Sequence, residues 1–136
     1  GFFDETLLRG NDGDFIRRVC SKYKVDFIPE VLVKVLTAHG SQRISDNNIK
    51  GIESSLFSYK TRLEKFNHIL TKYPTQTSNI YASIAYHHGL LGNKILIFKY
   101  IIKSILINPF GIYKYRIFAK TLKDFVYYNY FNKLPI

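Results

Sequence analysis

Apolar residues recur at three- and four-residue intervals over much of this chain, and each such stretch predicts an amphipathic helix. In the first, Phe15, Ile16, Val19, Cys20 and Tyr23 share one side, with Arg17, Arg18, Ser21, Lys22 and Lys24 between them. Asn11 or Asp12 is its predicted N-cap. A second helix starts at cap residues 45–48 and runs to about residue 72, with Ile49, Ile52, Leu56, Tyr59, Leu63, Phe66 and Leu70 on one face. Tyr73-Pro74 stops it, because a residue before proline is pushed out of the helical region. Residues 75–78 are polar and predict a turn. Further helices follow over 79–90, 93–107 and 111–129. The first of these carries Ile80, Ala82, Ile84, Ala85 and Tyr86, and the second is apolar except for Lys94, Lys99, Lys103 and Ser104. The last is rich in Tyr and Phe, with Lys114, Arg116, Lys120 and Lys123 interleaved.

Residues 25–36 are patterned differently. They are β-branched and partly alternating, with Pro29 in the middle, and predict two short extended pieces joined at the proline; residues 37–41 close them as a loop. The expected fold class is therefore α+β, mostly α: a small α/β segment over residues 1–45 and an all-helical extension over 46–136. The helices from 79 onward resemble a degenerate tetratricopeptide-like unit, with small Ala82 and Ala85, a turn over 89–93, and Asn108-Pro109 before the next helix. Little more than one repeat is present, too few for a free-standing array, so a helical extension packed on its neighbour is expected.

Charge sharpens this division. The net charge is +10. Residues 1–45 hold seven Lys or Arg against six Asp or Glu, whereas residues 46–136 hold thirteen against four, so the basic character belongs to the helical part. The lone Cys20 allows no internal disulfide and is expected to act as a small core residue. The longest apolar run, 95–107, is interrupted by Lys99 and Lys103 and is too short to span a bilayer. No signal peptide is visible at the N-terminus. A cytoplasmic location, or a peripheral one on the inner face of the membrane, is expected.

Candidate chemistry concentrates in residues 9–18, where Asp12 and Asp14 follow a glycine turn and open the first helix. Such a carboxylate can cap the helix and complement its dipole, or it can serve as a base held at a rigid helix start. Asp12-Gly13-Asp14 also has an Asp-x-Asp spacing for metal, although it follows a turn and not an apolar strand. His87 and His88 are adjacent, so their rings leave a helix in different directions and do not predict a metal site.

Five pieces in order, Phe3-Asp4-Glu5, Asn11-Asp12-Gly13-Asp14, Arg18, Tyr23 with Phe27-Ile28-Pro29-Glu30, and His39-Gly40-Ser41, resemble the C-terminal third of the catalytic domain of family-two inverting glycosyltransferases, which have the GT-A fold. The match covers under a third of the chain. Asn11 stands where the family has an acid before the base, and His39 precedes Gly40 without the usual intervening residue. The resemblance implies that Asp12 is the general base, that Asp4, Glu5 and Asp14 lie toward the acceptor, and that His39 approaches a metal or the donor diphosphate. It also implies a nucleotide-sugar donor, a glycan or lipid-linked acceptor, and a divalent Mg or Mn held by residues outside this chain. The chain is thus expected to be a C-terminal piece of the parent transferase and inactive by itself.

Basic and aromatic residues together suit an anionic membrane surface, with Lys114, Arg116, Lys120 and Lys123 as the contacting cations, or single-stranded nucleic acid. Under the transferase reading the membrane is favoured. The competing expectation is a non-enzymatic helical module that binds a protein or an anionic surface, in which Asp12 only caps a helix.

Overall fold

The structure, a computed structural model, describes residues 2–34 and 48–131, with the backbone alone for 124–131. Its helices are α1 (Asn11–Cys20), α2 (Ile49–Lys65), α3 (Asn67–Leu70), α4 (Pro74–Leu90), α5 (Lys94–Ile107) and α6 (Ile112–Phe131). The fold is mostly α. No strand occurs among the described residues; of the two extended pieces expected over 25–36, residues 25–34 form no strand and residues 35 and 36 lie outside the described residues. Residues 22–34 are exposed throughout. A β-patterned run forms a strand only when a neighbouring strand takes its amides and carbonyls, and no such neighbour lies among the described residues.

The central helix is α4, which packs against α2, α5 and α6. It begins at Pro74, where the missing N–H is no loss and the fixed φ suits the first turn. Residues 75–78, expected as a turn, are therefore helical. Small residues suit the central place of α4: Ala82 and Ala85 are fully buried, and Ala85 packs with Ile97 and Ile101 of α5. The C-terminus of α4 closes with the Gly92 amide on the Gly89 carbonyl and the Asn93 amide on the His88 carbonyl, 3.0 and 2.9 Å. This double closure needs a left-handed residue, which Gly92 supplies at φ 72°. The chain reverses there, and α5 returns antiparallel. At the far end of the pair, buried Ser78 and Ser104 bind reciprocally: the Ser78 hydroxyl donates to the Ser104 carbonyl, and the Ser104 hydroxyl to the Ser78 carbonyl, both at 2.8 Å.

The helix expected to run unbroken to residue 72 is interrupted at Phe66, whose φ of −110° and ψ of 18° leave the helical region. The break lets both Phe66 and Leu70 join Leu56, Ile80 and Ile84 in one buried cluster. A second cluster, Ala85, Ile97 and Ile101, fills the space between α4 and α5 with Phe118 against it.

Helix α1 and the turn before it meet α2 and the Phe66 break by their charged side. Arg9 Nη1 donates to Ser55 Oγ at 2.9 Å, and the Arg17 guanidinium lies 5.8 Å from the centre of the Phe66 ring. The apolar side is left outward: Ile16, Cys20 and Tyr23 are exposed. Cys20 is thus a surface residue and not the core residue expected.

Candidate functional site

Gly10 makes the start of α1 possible. It is the N-cap residue, left-handed at φ 77°, with no side-chain cap on the helix; the N-cap is therefore neither Asn11 nor Asp12. Its carbonyl accepts the first helical bond, from the Asp14 amide at 2.9 Å. Close approach also requires glycine, since a Cβ here would sit 2.6 Å from Ser58 Oγ. Beyond Gly10 the first-turn amides meet side chains one residue back: Asp12 N–H donates to Asn11 Oδ1 and Gly13 N–H to Asp12 Oδ1, at 2.8 and 2.7 Å.

The carboxylates two residues apart point to opposite sides, as a helical rotation of about 200° over two residues dictates. Asp12 is exposed. Asp14 is 2 % exposed and is held by two cations, Arg18 Nε at 2.9 Å and Lys65 Nζ at 3.4 Å. Arg18 Nη2 also donates to the Phe2 carbonyl at 2.7 Å. Lys65 pairs in addition with Asp4, whose Oδ1 accepts the Thr6 amide and hydroxyl at 3.0 and 2.6 Å. The hydrogen bonds from Lys65 and Thr6 hold the Asp4 carboxyl down at about 2, and the bond to Asp4 raises Lys65 above its ordinary value.

This geometry separates the expected site residues. Asp14 is not open to an acceptor, because both of its oxygens are engaged and its side chain is enclosed. Asp4 belongs to the same ion-pair cluster. Glu5 and Asp12 are exposed. His39 lies outside the described residues. Asp12 and Asp14 do not converge, so they do not form a chelating pair. Among the described residues no group of three His, Cys, Asp or Glu could hold a metal.

The four cations assigned to a membrane surface also divide. Lys114 is 1 % exposed, its ammonium donating to the Asn108 carbonyl, and burial lowers its affinity for the proton. It is therefore a buried clamp between α6 and the end of α5 and not a surface group. Arg116, Lys120 and Lys123 are exposed, with Lys120 Nζ 4.7 Å from the centre of the Tyr86 ring.

Two features escaped the sequence pattern. A groove of about 640 Å³ lies beside the C-terminal half of α1, lined by Arg18, Ser21, Lys22, Lys65, Phe66 and His68. It sits about six residues, or roughly 9 Å along the axis, from Asp12 and is separate from that carboxylate. His88 is buried with both ring nitrogens unpartnered, stacked on Tyr100 at 5.5 Å and 10°. Burial lowers its proton affinity, as it does that of His87. Compared with protein families, curated proteins and solved structures, the chain matches none of them.

Proposed function

We propose that this chain carries the base-bearing part of an inverting glycosyltransferase of the GT-A fold, with Asp12 as the general base. The observation that carries the reading is the division of labour between two carboxylates. Asp14 is turned inward and neutralised by Arg18 and Lys65, which fixes α1 on α2. Asp12 is held at the helix start with its side chain open. An anchored helix with a solvent-exposed carboxylate at its mouth, one oxygen steadied by the Gly13 amide, is what positioning of a base requires.

In the reaction, an acceptor hydroxyl oxygen bonds to the anomeric carbon of a nucleotide-sugar while that carbon's bond to the diphosphate oxygen breaks. The bonding electron pair leaves with the nucleoside diphosphate, and the hydroxyl proton passes to the Asp12 carboxylate. A single displacement inverts the anomeric centre. The residues of this chain that act are Asp12, which takes the proton, and Asp14 with Arg18 and Lys65, which set where Asp12 stands.

A second feature supports the same reading. The outward side of α1, at Ile16 and Cys20, and exposed Tyr23 just after it adjoin in sequence an exposed β-patterned run in which Phe27, Val31 and Val33 are at least three-quarters exposed. Apolar surface of this extent calls for a covering layer, and a strand that completes a larger sheet supplies both the covering and the missing backbone partners.

The test is Asp12→Asn in the intact protein, assayed for nucleoside diphosphate release from a panel of nucleotide-sugars with glycan and lipid-linked acceptors. Turnover should fall by about a hundredfold to ten-thousandfold with the melting temperature unchanged. Full turnover in the variant removes Asp12 from the role.

A further inference from the structure

Helix α5 is apolar on two opposite sides. Its inner side, Ile97, Ile101 and Ser104, is buried against α4. Its outer side carries Ile95, Phe98, Ile102 and Leu106, spaced three, four and four residues apart, and these are 84, 55, 54 and 78 % exposed. Four large apolar side chains in line on one helix make a contiguous patch of the kind that marks an interaction surface. Phe98 extends it toward α6, since it and Leu122 line the same shallow apolar pocket. Lys99 and Lys103 are exposed along one edge of the stripe, with the Lys103 ammonium 5.6 Å from the centre of the Tyr81 ring.

Charge identifies the occupant. Residues 65–123 contain nine Lys or Arg and no Asp or Glu. A second copy seated on this face would bring like charges together with no acid from that region to answer them. A flat anionic surface with an apolar interior satisfies both features at once: the stripe enters the acyl boundary and the lysines meet headgroups. No helix among the described residues is long and apolar enough to cross a bilayer, which leaves an in-plane arrangement for α5.

We propose that the outer face of α5 docks on the surface of an anionic lipid bilayer, with Ile95, Phe98, Ile102 and Leu106 immersed and Lys99 and Lys103 at the headgroups. This moves the membrane face from α6, where Lys114 is buried, to α5. The inference is independent of the transferase reading.

Vesicle flotation of the full chain tests it, with phosphatidylcholine vesicles compared with vesicles containing about one-third phosphatidylglycerol. The wild type should float with the anionic vesicles only. The triple variant F98S/I102S/L106S, whose folding is checked by circular dichroism, should lose flotation. K99Q/K103Q, which leaves the apolar stripe and core alone, should weaken it by roughly tenfold or more, at about fivefold per lysine near a charged surface. Failure of the wild type to float, undiminished flotation of the lysine variant, or a loss in R116Q/K120Q/K123Q that exceeds the α5 losses would overturn the proposal. So would a dimer in sedimentation that F98S/I102S/L106S dissolves while the wild type ignores vesicles.

Discussion

Asp14 accepts from two cations on different segments, one a helical turn away and one on α2. A carboxylate enclosed to this degree is stable only while both partners remain, because removing either side of a buried pair leaves an uncompensated group. Asp14→Asn is therefore expected to destabilise the fold by about 2 kcal/mol, with Arg18 and Lys65 still partly hydrated, whereas Asp12→Asn should be neutral to stability; urea unfolding of the two variants side by side measures the difference. Gly10 is the other residue with little freedom. Gly10→Ala combines a left-handed φ with a 2.6 Å approach to Ser58 Oγ and should cost about 2 kcal/mol or more, a lowered urea midpoint being the readout. The sequence located the acidic helix start, but the expectation that Asp14 lies toward the acceptor with Asp12 overlooked that two residues of helix turn side chains to opposite sides, and that Arg18, four residues on, is spaced to pair with Asp14. Lys65 was not legible, since fifty residues separate it from Asp14 and only the packing of α1 on α2 brings them together.

At the scale of elements, the pairing of α4 and α5 rests on small residues and a reciprocal serine lock. Ser104 is fully buried, and its hydroxyl also lies 2.9 Å from that of Ser78. Ser104→Ala should cost about 1 kcal/mol, the net worth of one hydrogen bond, and Ser104→Leu more, because the added volume has no room at a fully buried position. Thermal unfolding of the two variants gives the order directly. The helices from α4 onward were readable from apolar spacing, and the Gly92 turn from its glycine. The role of Pro74 was not legible, because a proline after a helical run signals an end equally well whether the next helix starts five residues later or at the proline itself. The break at Phe66 had no local signal: the apolar spacing continues through it, and it is the core formed with Ile80 and Ile84 that draws Phe66 and Leu70 inward. The β pattern over 25–36 is legible as a propensity, but strand formation depends on partners that a local pattern does not contain.

Across the whole molecule, two sets of groups make stability depend on acidity, and their signs can be worked separately. His87 and His88 have lowered proton affinity, chiefly through burial; for His87 the hydrogen bond to the Ser83 carbonyl opposes the shift and Arg9 adds to it, and for His88 Lys60 and His87 add to it. Groups depressed in the folded state contribute fully above their unfolded value, about 6.5 for histidine, and lose that contribution as pH falls and the unfolded chain takes up protons that the folded chain refuses. Asp4 acts lower on the scale: its carboxyl, held down at about 2 from an ordinary 3.8, contributes above 3.8 and ceases to do so as pH falls toward 2. Stability should accordingly decline first in mild acid through the histidines and again below about pH 4 through the ion-pair cluster. His88→Phe isolates the first step, because a phenyl ring keeps the stack on Tyr100 and fills the same buried space without a nitrogen to charge. Urea unfolding at about pH 7 and about pH 5 should show a smaller loss of stability in His88→Phe than in the wild type, and equal losses in the two proteins would assign the mild-acid step to other groups.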